Sequence, residues 1–339
     1  MKIAILSPVA WRTPPRKYGP WEQVASNITE GLSKKGIDVT LFATADSITT
    51  AKLESICSIG YEEDKTLDAK VQECMHISFL MERASEFDLI HNHFDFLPLS
   101  YSRLIKTPII TTIHGFSSQK IIPVYKRFND VCSYVSISYA DRSDELAYIA
   151  NVYNGIDPTL FSLNKKHGDY LLYFGRIHHD KGTREAIKIA LQSKMKLLIA
   201  GLIQDEQYYK QEVEPYIDGE QIVYVGNVEP KQRDILLGGA YALLHPINFK
   251  EPFGLSVAES MFCGTPVIAF NKGSMPELIN DEKTGFLVEN TEEAIGKISM
   301  IKYLDRSYCR EWAESKFSID NITNDYINVY QKVLNKTSS

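Results

Sequence analysis

The sequence predicts an α/β protein built as two doubly wound domains, and three observations predict it. Short apolar runs closed by Gly, Pro, His or Ser alternate with stretches of helical apolar spacing, the pattern of parallel strands buried on both faces by crossover helices. That alternation runs from Ile3 to Ser138 and begins again at Tyr170, which implies two such sheets facing across a cleft. A chain of 339 residues is long for one domain and sufficient for two, each with its own core.

In the first half, Ile3 to Leu6 reads as a buried strand stopped by Ser7 and Pro8. A polar loop from Trp11 to Glu22 follows, then a helix marked by Trp21, Val24, Ala25, Ile28 and Leu32 that Gly36 closes, then a strand over Val39 to Ala43. The unit is βαβ. Its first turn carries only Gly19, whereas a dinucleotide fingerprint requires Gly-x-Gly-x-x-Gly, so a simple NAD-binding protein is disfavoured. Asp46 to Asp68 has little periodicity. Asp88 to Asp95 reads as a strand running into a loop, with His91 and His93 two residues apart and facing the same way. Metal ligation by these two is disfavoured because neither Cys nor a further His lies at suitable spacing. His93 and Asp95 are therefore read as polar groups lining an acceptor cleft. Thr107 to Ile113 is the next strand and puts His114 at its carboxyl end, where open parallel sheets bind ligands. Tyr134 to Ser138 is a further strand, Asn154-Gly155 and Asp157-Pro158 mark a break, and Phe161 to Asp169 reads as a polar linker.

The second half restarts with the strand Tyr170 to Phe174, followed by Gly175-Arg176-Ile177-His178-His179-Asp180-Lys181-Gly182 and a helix over Ala186 to Leu191. This is not a Walker loop, which needs Gly-x-x-x-x-Gly-Lys-Ser/Thr. Two cations ahead of a helix start suit a diphosphate that leaves with negative charge. Three more strands end at Gly201, Gly226 and His245. The run Glu251-Pro252-Phe253-Gly254-Leu255 then turns into a helix carrying Ala258, Glu259, Met261 and Phe262 and closed by Gly264. The open amides of Phe253, Gly254 and Leu255 suit a phosphate, because a helix's first turn has no internal acceptors for its N–H groups. At ~1.5 Å of rise per residue, Glu259 lies about a phosphate-to-ribose distance further along. Thr284 to Val288 is the last strand, Thr291-Glu292-Glu293 caps a helix, and the chain from Arg310 onward is helical.

Composition narrows the class. With 44% hydrophobic and 24% charged residues the chain is an ordinary globular protein, and its net charge of -6 gives no indication of nucleic acid. Five scattered cysteines without a Cys-x-x-Cys pair read as reduced thiols. The N-terminal apolar run is too short for a signal peptide and no stretch reaches the ~18 apolar residues of a membrane span; a cytoplasmic protein is expected.

The Glu251 to Pro266 stretch resembles the signature of the retaining glycosyltransferases of family 4, whose fold is called GT-B; the spacing of the two glutamates, the intervening Pro-Phe-Gly-Leu and the trailing Cys-Gly-Thr-Pro-Val fit together. The resemblance extends over roughly residues 1 to 330. It implies Rossmann-like domains over 1–163 and 164–314, with a helix over 315–339 crossing back to the first. It also implies transfer of a hexose, from GDP-mannose or UDP-glucose, to a carbohydrate or small-molecule acceptor hydroxyl with retention and without a metal. No Asp-x-Asp element is present to bridge a diphosphate through a cation. Arg176 and Lys181 then face the leaving group, Gly175 and the backbone around Val228 line the nucleotide, Glu251 orients the sugar, Glu259 binds ribose, and His114 contacts the sugar near the reacting carbon. The family's Gly-Gly pair appears here as Gly19-Pro20, which removes one backbone donor and leaves the phosphate role of that loop open. Arg12, Arg16 and Lys17 form a basic rim suited to an anionic acceptor. A peripheral membrane contact and the oligomeric state stay open. An epimerase or phosphorylase of the same fold, and a nucleotide-sugar-binding regulator without turnover, are the alternatives.

Overall fold

Nearly every apolar run becomes a parallel strand whose side chains are sealed on both faces, as continuous Ile, Leu and Val runs require. The structure, a computed structural model, describes residues 1–116 and 118–337. They form two units, Met1–Gly155 with Ile319–Ser339, and Ile156–Ser318.

The first unit contains β1 (Lys2–Leu6), α1 (Pro20–Lys34), β2 (Asp38–Phe42), β3 (Lys52–Glu54), α2 (Ala69–Met81), β4 (Leu89–Asn92), β5 (Ile109–Ile113), α3 (Ile122–Arg127), β6 (Cys132–Ser136) and β7 (Tyr148–Asn151). The second contains β8 (Tyr170–Phe174), α4 (Thr183–Ser193), β9 (Lys196–Ala200), α5 (Glu206–Tyr208), β10 (Ile222–Gly226), α6 (Pro230–Gly239), β11 (Ala242–His245), α7 (Leu255–Phe262), β12 (Val267–Phe270), α8 (Met275–Leu278), β13 (Gly285–Val288), α9 (Thr291–Ile298) and α10 (Arg306–Phe317). The last helix, α11 (Ile319–Thr337), belongs to the first unit.

Both sheets are parallel throughout and share one topology. The order is β3-β2-β1-β4-β5-β6-β7 in the first and β10-β9-β8-β11-β12-β13 in the second. Strand order reverses between β1 and β4 and again between β8 and β11. Loops leaving the carboxyl ends at such a reversal diverge to opposite faces and leave a crevice, which is where this architecture binds ligands.

Several expectations are corrected. Phe161 to Asp169 is not a free linker: Phe161 is buried, the Asn164 amide donates to the Cys263 carbonyl at 3.0 Å, and buried Arg306 donates to the Asn164 carbonyl at 2.6 Å. Its polar composition hid the fact that Phe161 and Asn164 anchor it to the second unit. The weakly periodic stretch from Asp46 contains the short edge strand β3. The cap of α9 is Asn290, whose side chain accepts from the Glu293 amide, one residue ahead of the Thr291 start read from sequence. The terminal helical region breaks at Ser318, which is extended, so α10 and α11 are separate.

Candidate active site

At the crevice of the second unit, the loops after β8 and β11 are locked to each other. The Asn248 amide donates to the Asp180 carbonyl at 2.8 Å, and Gly182 (φ 73°) lies so near the Pro246 carbonyl that a Cβ there would fall 1.8 Å from its oxygen. Only glycine fits a left-handed turn with backbone that close. This lock brings Lys181 onto Glu251, Nζ to Oε2 at 2.6 Å, with the ammonium 4.4 Å above the Phe249 ring. The backbone of Glu251 is fixed from a third loop, since its carbonyl accepts from the Ser274 amide at 3.0 Å. His245, ending β11, points its Nε2 at the same carboxylate from 3.7 Å, beyond hydrogen-bond reach, and that buried nitrogen has no hydrogen-bond partner in the protein. Burial pushes the Glu251 carboxyl up, but the Lys181 ammonium and His245 outweigh it and hold it down at about 2. The site is thus a charged, largely dehydrated pair with an unsatisfied imidazole beside it.

Arg176 lies on the same β8 loop. Its guanidinium donates to Gln204 and to Asp180 Oδ2, the latter at 3.4 Å. Beyond Glu251 the chain enters α7 through Gly254 (φ 91°), and the first amides bonded back are those of Val257 and Ala258, to the Gly254 carbonyl. The amides of Leu255 and Ser256 precede that first bond and point their dipoles out of the helix start.

Other sequence-predicted residues are placed differently. Phe253 is a core side chain, edge-on to Phe317 at 5.6 Å, so only its backbone can meet a ligand; its carbonyl accepts from Ser274 Oγ at 2.7 Å. The Val228 side chain is likewise buried. Glu259 is buried against Arg233 of α6, Nη1 to Oε1 at 3.0 Å, and burial raises its carboxyl despite that guanidinium. The carboxylate expected to meet ribose is thus already engaged by a protein cation. Gly175 has open space around it, its nearest neighbour to an added Cβ being Tyr173 Oη at 3.8 Å.

In the first unit the corresponding crevice holds Gly19 and the histidines. Gly19 caps α1 with φ 153°, but the space beside it is filled by Pro15 and by the carboxylate of Glu22, so close approach by another molecule is not what the glycine provides there. Glu22 is 3% exposed and accepts from the Trp11 amide at 3.2 Å. Burial pushes it up to about 7. His114 stacks on Trp21 at 5.6 Å and is hydrogen-bonded to His93, Nε2 to Nδ1 at 2.9 Å. His93 and His91 are fully buried, with rings 4.1 Å apart, and His91 spans Tyr330 Oη and Thr112 Oγ1, each at 2.7 Å. His93 therefore supports His114 instead of lining a surface, as was expected of it. Burial lowers all three imidazoles, His114 and His91 to about 3, so they are neutral. Asp95 (φ 78°) is bound by the Tyr125 hydroxyl and burial raises its carboxyl to about 6. The expected basic rim is mostly compensated: Arg16 pairs with Asp46 and Glu63 at 3.0 and 3.2 Å, and Arg12 Nε donates to the Pro14 carbonyl. Among the described residues Lys17 is exposed and has no ion pair.

Three residues went unnoticed in the sequence: His245, Arg233 and Glu22. His245 had a signal, since it ends a strand at a topological reversal. Arg233 had none, being one of many cations on a helix. Glu22 could have been found from its position in the first turn of α1 behind the lone glycine.

Residues 159–316 match the family model for Glycosyl transferases group 1, and residues 21–160 match that for Glycosyltransferase Family 4. The chain is a GT-B glycosyltransferase, family 4-like. It is 23% identical to an uncharacterized glycosyltransferase of Methanocaldococcus jannaschii across 98% of both chains. It is 27% identical to the O-antigen chain mannosyltransferase B of Escherichia coli, over 68% of this chain and 62% of that one. Among solved structures, Anabaena HepE in complex with UDP-glucose superposes with a TM-score of 0.74 at 18% identity, over 98% of this chain and 100% of that one. No helix of this glycosyltransferase, among the described residues, is long and apolar enough to cross a membrane. Its five cysteines are unpaired and four are buried.

Proposed function

We propose that this glycosyltransferase moves a hexose from a nucleoside diphosphate sugar to an acceptor hydroxyl, with retention and without a metal ion. The observation that carries it is the Lys181 and Glu251 pair at the strand-order reversal of the second unit, flanked by Arg176, an unsatisfied His245 and the open start of α7. A diphosphate supplies the acceptor that Lys181, His245 Nε2 and the Leu255 and Ser256 amides are set to meet. Glu251, held ionised, orients Lys181 and hydroxyls of the sugar.

As the anomeric C–O bond breaks, the electron pair leaves with the β-phosphate, and the Lys181 and Arg176 cations stabilise the growing negative charge. The acceptor oxygen bonds to the anomeric carbon on the face the phosphate leaves, and its proton passes to a departing phosphate oxygen. No carboxylate has to attack. Preorganised donors of this kind are worth ~3 to 4 kcal/mol each to the barrier. HepE supports a nucleotide-sugar donor and the mannosyltransferase relative supports a mannosyl one, so UDP-glucose and GDP-mannose are the two donors to test.

Lys181→Ala and Glu251→Ala should each lower kcat by about two orders of magnitude or more with an unchanged circular dichroism spectrum; near-normal turnover in either would remove the mechanism. EDTA should leave the rate unchanged, and loss of activity restored by Mg²⁺ would contradict the metal-free reading.

A further inference from the structure

The β8 loop carries a second cluster that transfer does not use. His178 and His179 are consecutive on it, their rings 4.2 Å apart. Asp205 approaches from the loop after β9. One ligand atom from each of the three residues lies within 4.8 Å of the others.

The two loops hold these side chains on a fixed frame. The Ile177 amide donates to the Leu202 carbonyl at 2.8 Å, and the Gln204 and Asp205 amides both donate to the Ile177 carbonyl at 3.1 Å. Two of the three ligands, His178 and Asp205, are also oriented from behind. His178 Nδ1 is bonded to Asp180 Oδ1 at 2.7 Å, the carboxylate-to-imidazole arrangement that fixes the ring of a metal-bound histidine. Asp205 Oδ1 accepts from the Tyr208 amide at 2.9 Å, capping α5, while Oδ2 faces His179 Nδ1 at 3.3 Å.

We propose that His178, His179 and Asp205 form a binding site for a borderline divalent transition-metal ion, such as Zn²⁺. Two imidazoles and one carboxylate are the donor set such ions prefer over Mg²⁺ or Ca²⁺, which take all-oxygen shells. Ligand distances of about 2.0 to 2.2 Å require the three atoms to draw closer than they stand. The His179 side chain is 67% exposed, so a side-chain rotation achieves this without moving the backbone. Three protein ligands leave the remaining position to water, and the accessible face of His179 gives the ion an entry path. The ion does not serve the diphosphate: His179 has no part in the donor site, and transfer in metal-free buffer should be the same for wild type and His179→Ala.

The test measures the ion directly, so it succeeds or fails whatever the outcome for glycosyl transfer. Tag-free, EDTA-stripped protein is titrated with Zn²⁺ by calorimetry and with Co²⁺ by visible absorption. Expected are one equivalent bound with a micromolar or tighter Kd, intense d–d bands of a four-coordinate Co²⁺, and a loss of at least about tenfold in affinity in His179→Ala and in Asp205→Asn. Asn keeps an oxygen to cap α5, and melting curves confirm that both variants are folded. Millimolar binding by wild type, or unchanged affinity in both folded variants, overturns the site.

Discussion

Burial raises the carboxyls of two glutamates alike, and what accompanies each decides where it ends. Glu251 enters its site with an ammonium and is held ionised; Glu22 is buried with backbone amides of Trp11 and its own turn and with the like charge of Glu63, and burial first of all lifts it from 4.5 to about 7. A carboxyl raised on folding binds its proton more tightly in the native state, so stability falls as pH rises from 4.5 to 7, by roughly 3 kcal/mol for this group, and the cost is complete above that window. Glu22→Gln should therefore gain stability over wild type between pH 5 and pH 8 in urea unfolding. A difference constant across that range would rule this out. Glu251 has the other sign: its contribution is full above the ordinary carboxylate range and is lost as pH falls toward 2. The Glu22 carboxylate was visible in the sequence, but its isolation from cations was not, because that depends on which chains pack over the first turn of α1.

At the scale of elements, the active geometry belongs to loops whose shape is set by backbone contact. The β8 loop closes on the β11 loop at Gly182, where φ of 73° and the Pro246 carbonyl 1.8 Å from an added Cβ exclude any side chain. Gly182→Ala must shift backbone, at a cost of order 1–3 kcal/mol from the strained φ alone, and should raise KM for the donor because Lys181 is the preceding residue. Retained stability together with an unchanged KM would show that the loop is not held by that contact. The end of α7 was legible, Gly264 doing what glycine does after a helix, whereas α1 starts at Pro20, inside the stretch read as a polar loop. The anchoring of the segment from Phe161 to Asp169 was not, since an asparagine held by Arg306 and Cys263 looks, in one dimension, like a polar residue in solvent.

For the molecule as a whole, two sheets with the same 3-2-1-4-5-6 core order put paired loops at each reversal, and a ligand that binds one of them adds stability by mass action. A thermal-shift series with GDP-mannose, GDP-glucose, UDP-glucose and UDP-galactose should single out one nucleotide, with up to about 2.7 kcal/mol gained at 100 times its Kd. No shift with any of them would count against a nucleotide-sugar donor. By itself the sequence determined the parallel α/β architecture, the doubling of the pattern and the turns that carry Arg176, Lys181, Glu251 and His114, because apolar period, glycine and proline act locally. The tertiary structure alone decided that Lys181 grips Glu251, that Arg233 occupies Glu259, and that His93 serves His114, because each joins residues on different elements, where burial and charge complementarity, not spacing along the chain, choose the partner.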